Sequence, residues 1–185
     1  MANAKDVARV FEYLSLHTEG EPIEKTRLNK LMYYAQGHSL SERGIALFDN
    51  EIDAWDYGPV VAVVFSNYAR IVEQAEENGL DGIQVTPEEM DTIMDVWEQY
   101  KGFTAKQLVD MTHEPDTPWR EIYATGIRNA HIPKERIKVY FDRPDHKLTH
   151  PTDGITAQPT SGVLPAEEYD ADEDEVWEAL LNGTE

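Results

Sequence analysis

Six histidines (His17, His38, His113, His131, His146 and His150) and 36 acidic side chains are the groups in this chain whose types could do chemistry. A metal site asks for histidines spaced to converge, as in H-E-x-x-H or an i, i+4 pair on one helix. Only His146 and His150 have that separation, and Pro144 and Pro151 argue against a continuous helix there. The chain has no cysteine, which excludes disulfides, thiolate ligands and cysteine nucleophiles. There is no G-x-S-x-G to present a serine, and no G-x-x-x-x-G-K-[ST] or G-x-G-x-x-G to cradle a phosphate. The expectation is therefore no catalytic residue, no cofactor and no metal: a protein that is not an enzyme. His113 reads as a helix-end histidine hydrogen-bonded to a nearby carbonyl.

One stretch still has the look of a site. "DAWDYGPVV", residues 53 to 61, places Trp55 and Tyr57 among carboxylates and ends in a Gly58-Pro59 step. Aromatics beside carboxylates can line a pocket, but the same residues can make a joint. In an extended strand Asp53, Trp55 and Tyr57 share one face, and Ile52, Ala54 and Asp56 the other. Asp49-Asn50 is a turn signal just upstream, so residues 47 to 57 read as a small hairpin. Gly58 then permits an unusual backbone angle, and Pro59 is pre-set for the first turn of a densely apolar helix, "VVAVVFSNYARIV". On this reading Trp55 and Tyr57 are mainly architectural.

The elements that would hold this joint are helices. Val7, Val10, Phe11 and Leu14 fall at i, i+3, i+4 and i+7, the spacing of a buried stripe. A second helix begins near Thr26, with Leu28, Leu31, Met32 and Ala35 inward and Gly44 suited to its C-terminal end. Thr86, Pro87 and Glu89 form the start signal of a third, with Met90, Ile93, Met94, Trp97 and Tyr100 as its stripe. Thr104 with Gln107, Thr117-Pro118 and Pro133 open three more. These features predict a mainly α protein: one helical domain over residues 1–141 with a small β-hairpin.

Residues 142–185 differ in kind. They hold twelve acids against Arg143 and Lys147, half of the chain's net charge of −20. Their Pro, Thr, Gly and Asp content suits an acidic linker without a core of its own. Near the end, Asp172, Glu173, Asp174 and Glu175 precede Val176, Trp177, Leu180 and Leu181, a short amphipathic helix with acids at its favourable end. Three roles are open to it: packing back on the domain, docking in a partner's groove with Trp177 as anchor, or remaining disordered. The charge balance speaks against direct binding of nucleic acid, which relies on clustered Lys and Arg, and favours a basic partner. No apolar run approaches the ~18 residues of a membrane span. The N-terminus lacks a signal peptide's apolar core, so the expected location is the cytoplasm.

"LNKLMYYAQGHSLSERGIALFDNEIDAWDYGPVVAVVFSNYARI" resembles the Panacea domain of bacterial and phage antitoxins, a family that includes SocA-like proteolytic adaptors and phage-associated GepA-like proteins. The matching features are Lys30 to Ala35 with Tyr33 and Tyr34, then Gly44, Leu47 and Phe48, then Asp53 to Val60 with Trp55, Tyr57, Gly58 and Pro59, then Tyr68. "LVDMTH" ending at His113, Pro118-Trp119 and "IPKERIKVYF" continue the series, which spans roughly residues 5–141. The spacing between Thr-His and Pro-Trp departs from the family pattern, and the acidic tail lies outside the match. The resemblance implies an antitoxin that neutralises a cognate protein toxin by direct protein contact. The alternatives are an adaptor delivering a toxin to a ClpXP-type protease, and a phage-encoded acidic inhibitor. The motif residues are expected to be structural, and the tail residues Asp172 to Glu175, Val176, Trp177, Leu180 and Leu181 to touch the partner.

Overall fold

A computed structural model describes residues 1–148 except 125 and 128. It is mainly helical, with one two-stranded antiparallel hairpin. The helices are α1 (Ala4–Thr18), α2 (Lys25–His38), α3 (Ala62–Ser66), α4 (Tyr68–Asn78), α5 (Pro87–Tyr100), α6 (Ala105–Thr112), α7 (Pro118–Tyr123) and α8 (Lys134–Phe141); the strands are β1 (Asp53–Trp55) and β2 (Gly58–Val60). None of the described helices is long and apolar enough to cross a membrane.

Local start and stop signals work as their chemistry dictates. Thr86 caps α5 by accepting from the Glu89 amide while the Glu89 carboxylate accepts from the Thr86 amide. Thr104 and Gln107 make the same reciprocal pair at α6, and Thr117 caps α7 ahead of Pro118. Each cap satisfies donors that a helix end leaves open, worth about 1 kcal/mol. α2 continues as one wide π-type turn, Ser39–Arg43, and stops at Gly44, whose φ of 68° lies in the left-handed region.

α2 is the axis of the fold. Leu28, Leu31, Met32 and Ala35 point inward as the periodicity requires, but every residue from Leu28 to His38 is buried. The helix is surrounded: α1, α3, α5, α6, α8 and β2 all pack on it. On α1, Val7, Val10 and Phe11 are buried and Leu14 is partly so. Phe141 of α8 lies against Gly37, where an added Cβ would fall only 2.3 Å from the ring. Glycine is required there by lack of space.

Three expectations change. The hairpin turns at Asp56-Tyr57 rather than Asp49-Asn50, with Trp55 paired to Gly58 and Asp53 to Val60. Gly58 and Pro59 therefore belong to β2, and the next helix starts at Ala62. The expected single helix from residue 60 onward is broken at Asn67, whose side-chain amide donates to the Val63 carbonyl as the chain leaves α3. On α5, Met94 is 37% exposed, because the buried face is centred on Ile93, Val96 and Trp97.

Candidate functional site

The polar residues of the buried helix show what the central motif does. Gln36 reaches the segment before the hairpin: its Oε1 accepts from the amides of Leu47 (2.8 Å) and Phe48 (3.2 Å), and its Nε2 donates to the Phe48 carbonyl (2.9 Å). Two turns earlier, Asn29 accepts from the Val61 amide at 3.0 Å and Lys30 Nζ donates to the Pro59 carbonyl at 3.1 Å. One helix thus pins both ends of the stretch from Leu47 to Val61. Residues 130–132 hold its far edge, through Ala54 N to Ala130 O and Ile132 N to Ile52 O.

Lys30 is 1% exposed, and its Nζ donates to a neutral carbonyl rather than to a carboxylate. Burial pushes its amine down to about 7, opposed by the charge of Glu24. Gly58 closes over it with a φ of 101°; an added Cβ would sit 2.7 Å from Thr112 Oγ1 and 2.8 Å from Lys30 Cε. No side chain fits, so the Gly58-Pro59 step is a close backbone approach to the lysine stem.

α6 and α7 complete the seam. The Trp119 indole donates to the Trp55 carbonyl at 2.8 Å, tying α7 to β1. His113 ends α6, as expected, but its ring bonds no carbonyl among the described residues; it stacks on Trp119 at 3.9 Å between centroids with 19° between planes. Its buried Nε2 has no hydrogen-bond partner among the described residues. Burial, then the neighbouring Lys30 charge, holds the imidazole down to about 4, so it is neutral near pH 7. The carbonyl interaction runs the other way round: the His113 backbone oxygen accepts from Arg120.

The remaining motif residues are placed as follows. Tyr33 and Tyr34 are buried on α2, each set edge-on to Phe141, and Tyr34 stacks on Tyr100 at 4.3 Å. Burial raises both phenols well above their ordinary value. Trp55 packs edge-on to Phe65 in a satellite cluster with Val60 and partly buried Tyr57. Tyr68 donates to the Ile23 carbonyl at 2.6 Å. Pro118 is the buried first residue of α7. The structure therefore brings Lys30, Trp55, Gly58, Pro59, His113 and Trp119 into one seam, while Tyr33 and Tyr34 serve the helix packing behind it. Asp172, Glu173, Asp174, Glu175, Val176, Trp177, Leu180 and Leu181 lie outside the described residues.

Sequence reasoning passes over the roles of Asn29 and Gln36. Their signal is present: polar residues on a helix whose apolar positions already fill one face must meet other backbone if the helix is central. No group of three or more His, Cys, Asp or Glu among the described residues could hold a metal ion.

Over residues 28–120 the chain matches a family described as "Antitoxin SocA-like, Panacea domain". That span runs from α2 through the seam to the first turn of α7. Among curated proteins, it is 30% identical over 117 residues to antitoxin SocA of Caulobacter vibrioides (strain NA1000 / CB15N), covering 57% of this chain and 62% of that protein. The chain thus spans less than two thirds of the length of this relative. No solved structure matches.

Proposed function

Because the chain belongs to the family of SocA-like antitoxins with a Panacea domain, we propose that it neutralises a cognate protein toxin by direct contact, without chemistry on the toxin or on anything else. The family match across residues 28–120 is the observation that carries this reading. In it, the helical body is a rigid scaffold and the acidic tail is the steering element. Asp172 to Glu175 attract a basic toxin surface, and Val176, Trp177, Leu180 and Leu181 bury themselves on contact. Toxins that act on nucleic acids or nucleotides need basic surfaces to hold phosphates, and a partner of net charge −20 competes for such a surface.

The test is co-expression with the protein encoded by the adjacent gene, followed by growth and co-purification. Direct neutralisation predicts restored growth and a stoichiometric complex, both unchanged in a host lacking its ClpXP-type protease. Rescue that vanishes without the protease would replace this reading with delivery for degradation. No rescue and no complex would refute it.

A further inference from the structure

The stacked rings of the seam run out to the surface. His113 lies on Trp119 at 3.9 Å, and Trp119 lies on Tyr123 at 4.6 Å, with planes 19° and 18° apart. Trp119 is 3% exposed and Tyr123 is 42% exposed, so the ladder begins in the protein and ends in solvent. Tyr123 is not free to wander: its hydroxyl donates to Asp56 Oδ1 at 2.9 Å, in the two-residue turn of the hairpin. The ring below it is fixed in turn by the bond from the Trp119 indole to the Trp55 carbonyl.

The charges around this ledge are unevenly spent. Asp56 is exposed, and among the described residues no cation pairs with it. Among the described residues two arginines of α7 and α8 have other work: Arg120 donates to the His113 carbonyl, and Arg136 faces Glu121 at 3.7 Å. Asp56 Oδ1 accepts from the Tyr123 hydroxyl, which leaves Oδ2 to accept from outside. A ring with one face packed and a carboxylate held at its rim together describe one kind of guest. A guanidinium can stack on the open ring face and donate to the carboxylate in the same pose, whereas an ammonium satisfies only the charge. A nucleobase could also stack, but its phosphates would meet Asp56 on a chain of net charge −20.

We propose that Tyr123 and Asp56 form a receptor for an arginine side chain of the bound toxin, a second contact on the body of the protein. This rests on the toxin-binding reading above, and it adds a rigid, pre-ordered site to the charged tail. Pre-ordering matters because a ring already held by Trp119 and Asp56 loses little freedom when the guest arrives.

The test uses the full chain labelled with nitrogen-15 and a capped Gly-Arg repeat peptide as probe, at low salt. The chain's four tryptophans, Trp55, Trp97, Trp119 and Trp177, give separate indole signals that report the seam, the core, the ledge and the tail. The expected result is saturable movement of the Trp119 indole and the α7 amides. A Gly-Lys peptide should bind there about fivefold more weakly or worse. Tyr123→Leu and Asp56→Asn should each weaken the same response by about fivefold or more, and Tyr123 is exposed enough that Leu leaves the core intact. Signals that move only at Trp177 would overturn the ledge while leaving tail-mediated toxin binding standing. Equal responses in wild type and Tyr123→Leu would overturn it as well. Failure of the toxin-binding reading has a different signature, the absence of any complex on co-expression.

Discussion

Gln36 and Lys30 sit on the same buried helix and do the same job on opposite ends of the hairpin segment, yet they differ in how well that job is satisfied. Gln36 offers an acceptor and a donor to a peptide edge and finds three partners there, the Leu47 and Phe48 amides and the Phe48 carbonyl. Lys30 brings an ammonium into the protein and meets one neutral carbonyl. A buried amide that mimics backbone is a good pin, because each bond replaces one lost to water. A buried amine beside a neutral carbonyl resists its own charge instead. The difference teaches that burial and polarity alone do not rank these positions; the number and kind of partners do.

The largest effect expected from breaking this comparison is at Gln36. Gln36→Leu orphans three buried backbone groups at about 1–3 kcal/mol each, so urea unfolding should lose roughly 3–9 kcal/mol. Trp55→Ala should follow at about 3–5 kcal/mol, since it empties the centre of the satellite cluster with Phe65 and Val60. If that variant melted like wild type but no longer bound the toxin, the stretch would be a site rather than a joint. Gly58→Ala should cost about 1–3 kcal/mol, from its positive φ and the contact with Thr112 and Lys30.

Lys30→Met should be the mildest, within about 1 kcal/mol of wild type at pH 7, because it removes an unfavourable charge along with one hydrogen bond. Its signature is in the pH dependence. Lys30 titrates at about 7 in the folded protein, against 10.5 for a lysine in an unfolded chain. Between those values the unfolded chain binds the extra proton, so stability rises with pH, by up to about 1.4 kcal/mol per unit. Between about pH 7.5 and 8.5, more than a unit below the ordinary value of tyrosine, thermal melts of wild type should climb relative to those of Lys30→Met. Parallel curves would mean that Lys30 is not the buried group described here.

Much of this architecture is legible in the sequence because its causes are local. Thr86, Pro87 and Glu89 stand within four positions, and the capping box they form needs nothing from the rest of the chain. The hairpin is different. Asp49-Asn50 carries a turn signal, and Asn50 is a bend, but Gln36 ties Leu47 and Phe48 back to α2 and the hairpin's own turn falls at Asp56-Tyr57, next to the close approach of Gly58 to Lys30. His113 does fall at a helix end, while its stacking partner Trp119 lies across a loop that the helix signal cannot see. Helix periodicity likewise marks α2 as one-sided, since burial on every side depends on how many elements arrive later in the chain. The ledge at Tyr123 and Asp56 has no signal at all, because the two residues are 67 positions apart.

The proposed charge-steered contact with a basic toxin is tested most directly by association kinetics. The co-purified toxin is titrated by stopped-flow against wild type, a variant with Asp172, Glu173, Asp174 and Glu175 neutralised, and Trp177→Ala/Leu180→Ala. Neutralising the acids should slow association by about tenfold or more at low salt and flatten its salt dependence, with dissociation little changed. Removing the apolar anchors should speed dissociation instead. Association rates and salt slopes identical in all three proteins would contradict the account.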